Sequence, residues 1–414
     1  MPATTLRPPS SPASPADAPR AVHVVDTTMF WSLTGGGVRR YLCTKHDWLR
    51  RQPGWRHSIA VPRAAGAIDA DPPTTRLPAL PLPGSGGYRL PLRRAAVARV
   101  LGAMQPDLIE AGDPYRVAWA ALDAARQRGV PAVAYCHSNL EAMARLAAGA
   151  RFAGVAGRAA RRYARHLYGH FDLVLAPSRS MCGHLADWGV ARVACQPLGV
   201  DSAAFHPSRA SAAWREAHGI EASTRLLVYA GRFAPEKHLD VLADAVSRLG
   251  DGYALFAIGA GPAPPHGERV RVLPFLAGTG ELATALASAD AFVHAGDQET
   301  FGLAALEAMA CGTPVVARSA EGLAELVDER VGQGVATGTG TAFAEAIAAV
   351  CGEGGSGGSR EARGAAARAR AEAHDWQRVL PGLLGHYRRL LGRAAAPVVV
   401  SAGSEGSAAV LPSR

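Results

Sequence analysis

Residues 295–317 read AGDQETFGLAALEAMACGTPVVA, a strand end, loop and helix that together indicate a parallel α/β sheet. An apolar strand ends near His294, a short polar loop carries Glu299, and Gly302 opens a predicted helix that ends before Gly312. The first N–H groups of such a helix have no partner within it and lie at the positive end of its dipole, so they can bind phosphate. Because open α/β sheets bind ligands at the carboxyl ends of their strands, the stretch predicts a ligand site at a parallel sheet.

Two glutamates, Glu299 and Glu307, lie on either side of this helix start, with seven residues between them. Carboxylates placed around a helix N-terminus suit a ligand that has both hydroxyl and phosphate groups. A loop charge and a solvated helix charge would explain the same pair, so the motif alone leaves both interpretations open.

A second stretch, VYAGRFAPEKHLDVLADAV at residues 228–246, has a strand, a turn and an amphipathic helix. Arg232 and Lys237 flank the turn, where a forked guanidinium and a point charge can hold one diphosphate. An exposed Lys/Glu turn is the simpler alternative.

A third stretch, Gly35–Gly37, follows the first strand and lets backbone approach a phosphate closely, although a tight turn explains it equally well.

Strands and helices alternate along the chain and then restart near residue 200, which predicts two α/β halves with parallel sheets. A last helical region is expected over residues 362–393, with a break near Pro381. The predicted divisions are a disordered tail at 1–20, an N-terminal domain at 21–198, a linker at 199–208, a C-terminal domain at 209–373, a helix packing back across both at 374–393, and a second tail at 394–414.

Composition narrows the function classes. The 44 basic residues exceed the 35 acidic ones, a net charge of +9 that favours anionic partners. The six cysteines form no CxxC or zinc spacing, which indicates free thiols in a reducing compartment. No apolar run is long enough for a transmembrane helix, and residues 1–20 lack the apolar core of a secretory signal. A cytoplasmic protein is expected.

As a set, these motifs resemble the retaining GT-B glycosyltransferases called family 4. The two glutamates with the following ACGTPVV, the Gly231-Arg232 and Lys237 stretch, and the glycine loop all match, and further matches are APSR at 176–179 and GVD at 199–201. The resemblance covers about residues 21–390. It implies an α/β fold in which two Rossmann-like domains face each other across a cleft and bind a nucleotide-diphosphate sugar.

The resemblance also assigns roles to residues of this chain. It places the donor diphosphate on Arg232 and Lys237, with Glu299 touching the transferred sugar and Glu307 holding the nucleotide ribose. His137, after a predicted strand, would lie near the donor sugar and acceptor as a second catalytic residue. Backbone N–H groups would meet the distal phosphate from both domains, at Gly36 and Gly37 on one side and Gly302, Leu303 and Ala304 on the other.

No metal ion and no cofactor are expected, because the basic residues and the helix N-terminus can take the place of a cation on the leaving diphosphate. The family implies retention of the anomeric configuration through front-face attack, and the sequence does not exclude a covalent glycosyl-enzyme. The expected donor is a nucleotide-diphosphate hexose, either GDP-mannose or UDP-glucose. The expected acceptor is a lipid or a cell-envelope glycan.

Three departures from the family pattern bear on specificity. Glu321-Gly322, followed by Glu325, stands where a glycine pair is usual, and Pro274 stands where glycine is common. The turn at 110–115, EAGDPY, replaces a histidine-rich turn on the acceptor side. The nucleotide base of the donor and the identity of the acceptor therefore stay open.

Two helical stretches, 92–101 and 151–170, are basic. Each is either an ordinary solvated helix face or a surface that docks on acidic lipids at the inner face of the cytoplasmic membrane. No nucleic-acid recognition motif is present, so no nucleic-acid partner is expected. The alternative functions are a catalytically silent sugar-nucleotide-binding scaffold and another GT-B enzyme, such as a nucleotide-sugar epimerase or a glycogen-type synthase.

Overall fold

The computed structural model describes residues 20–31, 36–62, 72–81, 89–276, 278–352 and 358–392. The tails predicted at 1–20 and 394–414, except Arg20, and the loop residue Gly35 lie outside these ranges. Within them the chain builds two parallel sheets, one from each half of the sequence.

The first sheet has seven parallel strands in the order β3-β2-β1-β6-β7-β8-β9, and β4 and β5 pair separately as a short antiparallel ribbon. The strands are β1 (Val22–Thr27), β2 (Trp55–Val61), β3 (Thr74–Arg76), β4 (Leu80–Pro81), β5 (Arg89–Leu90), β6 (Leu108–Ala111), β7 (Ala132–Tyr135), β8 (Leu173–Ala176) and β9 (Val193–Cys195). Its helices are α1 (Gly37–Leu49), α2 (Arg94–Ala103), α3 (Arg116–Arg128), α4 (Leu140–Tyr168) and α5 (Arg179–Asp187).

The second sheet has six parallel strands in the order β12-β11-β10-β13-β14-β15. They are β10 (Arg225–Arg232), β11 (Tyr253–Ala260), β12 (Val270–Leu273), β13 (Ala291–His294), β14 (Val315–Arg318) and β15 (Gly332–Val335). The helices of this half are α6 (Ala212–Ala217), α7 (Leu239–Leu249), α8 (Thr279–Ala287), α9 (Leu303–Ala310), α10 (Glu321–Leu326), α11 (Gly340–Cys351), α12 (Arg360–Ala373) and α13 (Trp376–Leu390), and single 3-10 turns lie at Pro207–Arg209 and Pro235–Lys237.

The central strands of both sheets are buried on both faces, as their apolar sequences require. All six residues of β1 are buried, and two adjacent residues of this strand, Val24 and Val25, pack into two different core clusters. In β10, Val228 and Tyr229 likewise belong to different clusters on opposite sides of the sheet. Parallel strands covered by helices on both faces have this near-continuous apolar sequence. The predicted α/β fold with two Rossmann-like domains is confirmed.

The predicted break near Pro381 is wrong, because Pro381 lies inside α13. The helical region divides earlier, at His374 and Asp375, where the Asp375 side chain accepts a hydrogen bond from Gln377 N at 2.8 Å and starts a new helix. A proline inside a helix removes one backbone hydrogen bond. The buried face of α13, which includes Leu380, compensates for that loss.

Helix α13 follows the second domain along the chain but packs against the first. Val200 N donates to His374 O at 3.0 Å, and Gln196 Nε2 donates to Val379 O at 3.0 Å. Farther along α13, the Tyr387 hydroxyl donates to Glu110 at the end of β6. The last helix therefore fixes the chain's C-terminal part to the first sheet.

Lys45 of α1 is the centre of a fully buried polar network in the first domain. Its Nζ lies 2.8 Å from Asp26 Oδ2 and 2.9 Å from Glu110 Oε1, and Tyr41 also donates to Glu110, at 2.8 Å. Burial raises the pKa of Glu110, so that carboxylate depends on the Lys45 charge and the two tyrosine hydroxyls, from Tyr41 and Tyr387. The network joins β1, α1, β6 and α13.

Replacing Lys45 by methionine should lower the free energy of unfolding by about 3–5 kcal/mol, because buried carboxylates would lose their cation. Urea titration followed by circular dichroism measures the change. Arg248→Ala is the control, because Arg248 pairs with Asp244 on the exposed side of α7, where such a pair contributes about 0.3–0.5 kcal/mol. Equal stability of the two variants would contradict the network's role.

Candidate active site

The candidate site lies where the carboxyl ends of strands from both sheets face each other. Arg232 ends β10, Lys237 lies in the 3-10 turn after it, and Glu299 lies in the loop after β13. From the first domain, His137 follows β7. The Thr300 hydroxyl donates to the backbone oxygen of His137 at 3.0 Å, so the two loops touch across the cleft.

Lys237 and Glu299 form a direct ion pair. The Lys237 residue is 7 % exposed, whereas the Glu299 side chain keeps 25 % of its surface open. Burial raises the pKa of Glu299, but the Lys237 charge and a hydrogen bond from His294 outweigh it and hold this pKa well below its usual range. Glu299 therefore stays ionised and presents a fixed negative charge to the cleft.

His294, the last residue of β13, orients Glu299 from behind. Gly296 N donates to His294 Nδ1 at 3.2 Å, so Nε2 is the ring nitrogen left to donate a hydrogen bond. That Nε2 lies 3.5 Å from Glu299 Oε1. His294 is not among the site residues predicted from the sequence, although its position at the end of a strand before the Glu299 loop was the available signal.

Arg232 does not join this ion pair. Its side chain is 68 % exposed, and Nη2 lies 3.0 Å from Glu236 Oε1 within the same turn. Arg232 and Lys237 thus flank one turn, as expected, with Arg232 at the open side of the cleft and Lys237 at its base.

The N-terminus of α9 meets the glycine loop of the first domain. Gly302 precedes the helix with φ 99°, a left-handed conformation that favours glycine, and a Cβ there would lie 2.6 Å from Leu323 Cδ2. Opposite it, a Cβ on Gly37 would lie 2.6 Å from Leu303 Cδ1. Gly37 therefore packs directly against Leu303, which brings Gly36 and Gly37 next to the segment Gly302, Leu303 and Ala304 of the other domain.

His137 stacks on the Tyr135 ring with 4.3 Å between ring centres. Burial and the nearby Lys45 charge lower the pKa of His137 to about 3, so the ring is neutral at physiological pH. Its Nε2 is buried and has no hydrogen-bond partner among the described residues. A buried, unsatisfied ring nitrogen beside a cleft is suited to a polar group of a ligand.

Glu307 lies on α9 and is 2 % exposed. Arg40, on α1 just after the glycine loop, crosses the cleft and pairs with its carboxylate. The Arg40 guanidinium also lies over the Phe205 ring, 5.7 Å from its centre. The structure thus places Glu307 beneath an arginine of the opposite domain, a contact that the sequence analysis did not anticipate.

Glu321 and Glu325, the departures noted in the sequence, also cross the cleft. Glu325 accepts hydrogen bonds from Ser180 N at 2.7 Å and Arg179 N at 3.1 Å, at the start of α5. Glu321 accepts from the Ser180 hydroxyl at 2.6 Å and contacts His184 Nε2 at 2.9 Å. Because Glu321 adopts φ 50°, it carries backbone strain that the usual glycine would avoid.

Asp113 and Tyr115, in the departing turn of the first domain, have different environments. Asp113 is buried and accepts hydrogen bonds from Met29 N at 2.8 Å and Tyr115 N at 2.9 Å. Tyr115 lines an apolar groove on the same edge of the sheet. Asp113 therefore shapes this edge, and Tyr115 is the residue open to a ligand.

Within the described ranges, no group of three or more His, Cys, Asp or Glu side chains could hold a metal ion. No helix within these ranges has the length and apolar character needed to cross a membrane.

Two family models match the chain, one in each domain. The model described as Glycosyltransferase Family 4 matches residues 35–204. The model described as Glycosyl transferases group 1 matches residues 224–353. The two matches cover most of both domains, from just before α1 to the end of α11, and β1 lies before the first of them.

Two bacterial relatives match most of the chain. A "GDP-mannose-dependent alpha-mannosyltransferase" of Mycolicibacterium smegmatis is 35% identical over 328 residues, 77% of this chain and 83% of the relative. A "GDP-mannose-dependent alpha-(1-6)-phosphatidylinositol dimannoside mannosyltransferase" of Mycobacterium tuberculosis is 31% identical over 387 residues, 88% of this chain and 95% of the relative.

Solved structures share the fold at lower identity. A sucrose-phosphate synthase from Thermosynechococcus elongatus superposes with a TM-score of 0.73 at 21% identity and covers 90% of this chain and 100% of its own. The Anabaena protein HepE, in complex with UDP and glucose, superposes with a TM-score of 0.69 at 20% identity. The match covers 87% of this chain and 98% of HepE. Both support two facing α/β domains.

Replacing Glu325 by alanine should widen the cleft, because the first N–H groups of α5 would lose their carboxylate, a contact of about 1 kcal/mol. Small-angle X-ray scattering without nucleotide should give a larger radius of gyration. Glu361→Ala, which removes an exposed carboxylate on α12, should leave the radius unchanged. An unchanged radius in Glu325→Ala would show that this contact does not hold the domains together.

Proposed function

The chain belongs to the family 4 glycosyltransferases, and from that premise we propose that it transfers mannose from GDP-mannose to an anionic lipid with retention of configuration. It is an enzyme that uses a nucleotide-sugar donor and acts on a lipid or glycan. The observation that carries the proposal is the cleft itself, where the Lys237–Glu299 pair faces neutral His137 beside the α9 N-terminus.

The donor sugar and base are proposed from the relatives. Both are named for GDP-mannose, and the M. tuberculosis relative matches over 95% of its length. Its name also specifies a phosphatidylinositol dimannoside acceptor, a lipid with an anionic phosphate. The net charge of +9 is suited to an acceptor of that charge.

The leaving group is stabilised by positive charge that the protein already holds in place. Arg232 and Lys237 would grip the diphosphate, and the N–H groups at Gly302, Leu303 and Ala304 would meet the distal phosphate, with Gly36 and Gly37 opposite. Preorganised donors of this kind stabilise charge as it develops on the diphosphate and can replace a metal ion. We therefore propose that the reaction needs neither metal nor cofactor.

The transferred sugar would lie between Glu299 and His137. Ionised Glu299 would stabilise positive charge at the anomeric carbon as the bond to the diphosphate breaks. Neutral His137 can hydrogen-bond to a sugar hydroxyl through Nε2, and its low pKa keeps it from acting as an acid near pH 7. The leaving phosphate would take the proton of the attacking acceptor hydroxyl, on the same face of the sugar.

Arg40 would exchange partners when the nucleotide binds. We propose that the ribose hydroxyls of the donor bind Glu307, where Arg40 lies now. The Glu307 carboxylate is almost fully buried, so a partner is needed in both states to offset its desolvation. Arg40 supplies that partner before the donor binds.

Thermal-shift measurements with GDP, UDP, ADP and dTDP, without divalent metal, test the donor site. A ligand that binds only the folded state raises the melting temperature, and GDP should give the largest shift. Lys237→Ala should lose the GDP shift. Glu299→Gln should keep it but lower mannose transfer about 100-fold, because a transition-state contact is lost. Arg248→Ala is the surface control for both measurements.

A shift with UDP and none with GDP would instead favour UDP-glucose as donor. No shift with any nucleotide would favour the silent scaffold. Near-normal transfer by both Lys237→Ala and Glu299→Gln would contradict the assignment of the site.

Replacing Arg40 by glutamine should reduce stability without nucleotide by about 1–2 kcal/mol, because the partly exposed pair with Glu307 is lost. GDP should then bind more tightly than to the wild type, since ribose no longer displaces a cation. Isothermal titration with GDP measures the affinity. Weaker GDP binding by Arg40→Gln would show that Arg40 contacts the nucleotide instead of competing with it.

A further inference from the structure

An apolar groove of about 580 Å³ lies on the first domain, outside the donor site. Its walls are Met29, Leu90, Tyr115, Trp119 and Tyr163, and the exposed residues Arg94 and Arg116 also line it. The volume falls within the range of about 300–1,000 Å³ typical of ligand pockets. Its lining contains no acidic residue.

The groove lies at the same sheet edge as His137. Gly112, after β6, lies between Thr28 and His137, because a Cβ there would be 3.4 Å from Thr28 Cβ and 3.5 Å from His137 Cδ2. Met29 follows Thr28 directly and Tyr115 lies three residues after Gly112, and both are groove walls. Asp113 holds both of them through their backbone N–H groups. A ligand that reaches His137 can therefore extend into the groove.

The surface next to the groove is apolar and basic. Phe152 and Val155 of α4 are 59 % and 61 % exposed, and Tyr163 lies eleven residues after Phe152, about three turns and 16 Å along the same face. Among the described residues, every exposed large hydrophobic side chain except Val272 belongs to the first domain. Helix α4 also has one acid, Glu141, against six exposed arginines: Arg145, Arg151, Arg158, Arg161, Arg162 and Arg165.

The occupant suited to an apolar groove beside exposed arginines has a hydrocarbon chain and an anionic headgroup. We propose that the groove binds a hydrocarbon chain of the anionic lipid acceptor, while the headgroup reaches the cleft at His137. This inference rests on the proposed function. It adds a binding site for the acyl chain, which would let the enzyme prefer the whole lipid over its water-soluble headgroup. Arg116 at the groove and the arginines of α4 attract the phosphate, and the groove accommodates the chain. Arg94, which also lines the groove, is already paired with Asp123.

The test compares mannose transfer to phosphatidylinositol dimannoside in detergent micelles with transfer to the same headgroup after deacylation. The wild type should show a kcat/KM at least ten times higher for the lipid. Leu90→Glu and Tyr163→Glu place a carboxylate in the groove and should remove that advantage while leaving kcat/KM for the deacylated headgroup unchanged. Val272→Glu, a change at an exposed residue of the second domain, should alter neither.

Equal use of both acceptors by the wild type would overturn the inference. Equal losses with both acceptors in Leu90→Glu would mean that the groove binds the sugar headgroup, and would overturn it as well. The GDP thermal shift of each variant should match the wild type, which separates damage to the groove from damage to the donor site.

A second readout does not depend on transfer. A phosphatidylinositol with a photoreactive diazirine in its acyl chain should label peptides that contain Leu90 or Trp119, and Leu90→Glu should abolish this label. If the protein transfers no mannose but the label appears in the groove, the proposed donor fails and the groove assignment stands. Labelling that Leu90→Glu leaves unchanged would overturn the groove assignment, whatever the transfer assay shows.

Discussion

The buried charge of Lys45 is the interaction on which the arrangement of the two domains depends. It holds Asp26 and Glu110 together inside the first domain, and the Glu110 carboxylate in turn receives the Tyr387 hydroxyl of the last helix. The same helix α1 begins at the glycine loop and places Arg40 opposite Glu307. A single buried lysine thus fixes the helix that approaches the donor site and the helix that returns from the second domain.

The two faces of the cleft have complementary electrostatics. In the second domain, Lys237 and His294 keep Glu299 ionised, so a negative charge faces the cleft where the proposed mechanism develops positive charge on the sugar. In the first domain, burial and the Lys45 charge lower the pKa of His137 and keep its ring neutral. The ring can therefore form a hydrogen bond but does not act as an acid near pH 7. Across the cleft, Arg40 and the pair Glu321 and Glu325 join the domains through charges that nucleotide or solvent can compete for.

Sequence patterns predicted much of this, and the misses have physical causes. The alternation of apolar strands and helices predicts two parallel sheets, and the spacing of Glu299 and Glu307 around Gly302 predicts a ligand site at the carboxyl edge of the second sheet. Contacts between distant segments leave no such spacing, so the pairing of Arg40 with Glu307 and the reach of Glu325 to α5 were not foreseen. Pro381 was mistaken for a helix break because tertiary packing of α13 outweighs one lost hydrogen bond. The groove likewise combines residues from separate segments of the first domain.

The anomeric configuration of the first product formed from GDP-α-mannose shows on which face of the sugar the acceptor attacks. Proton and carbon NMR of the product, taken before any equilibration, reads the configuration from the coupling between the anomeric carbon and its proton. A cleft in which the leaving phosphate deprotonates the acceptor on the same face predicts an α-mannoside. A β-mannoside would contradict the account, because it would require attack from the opposite face and a separate base.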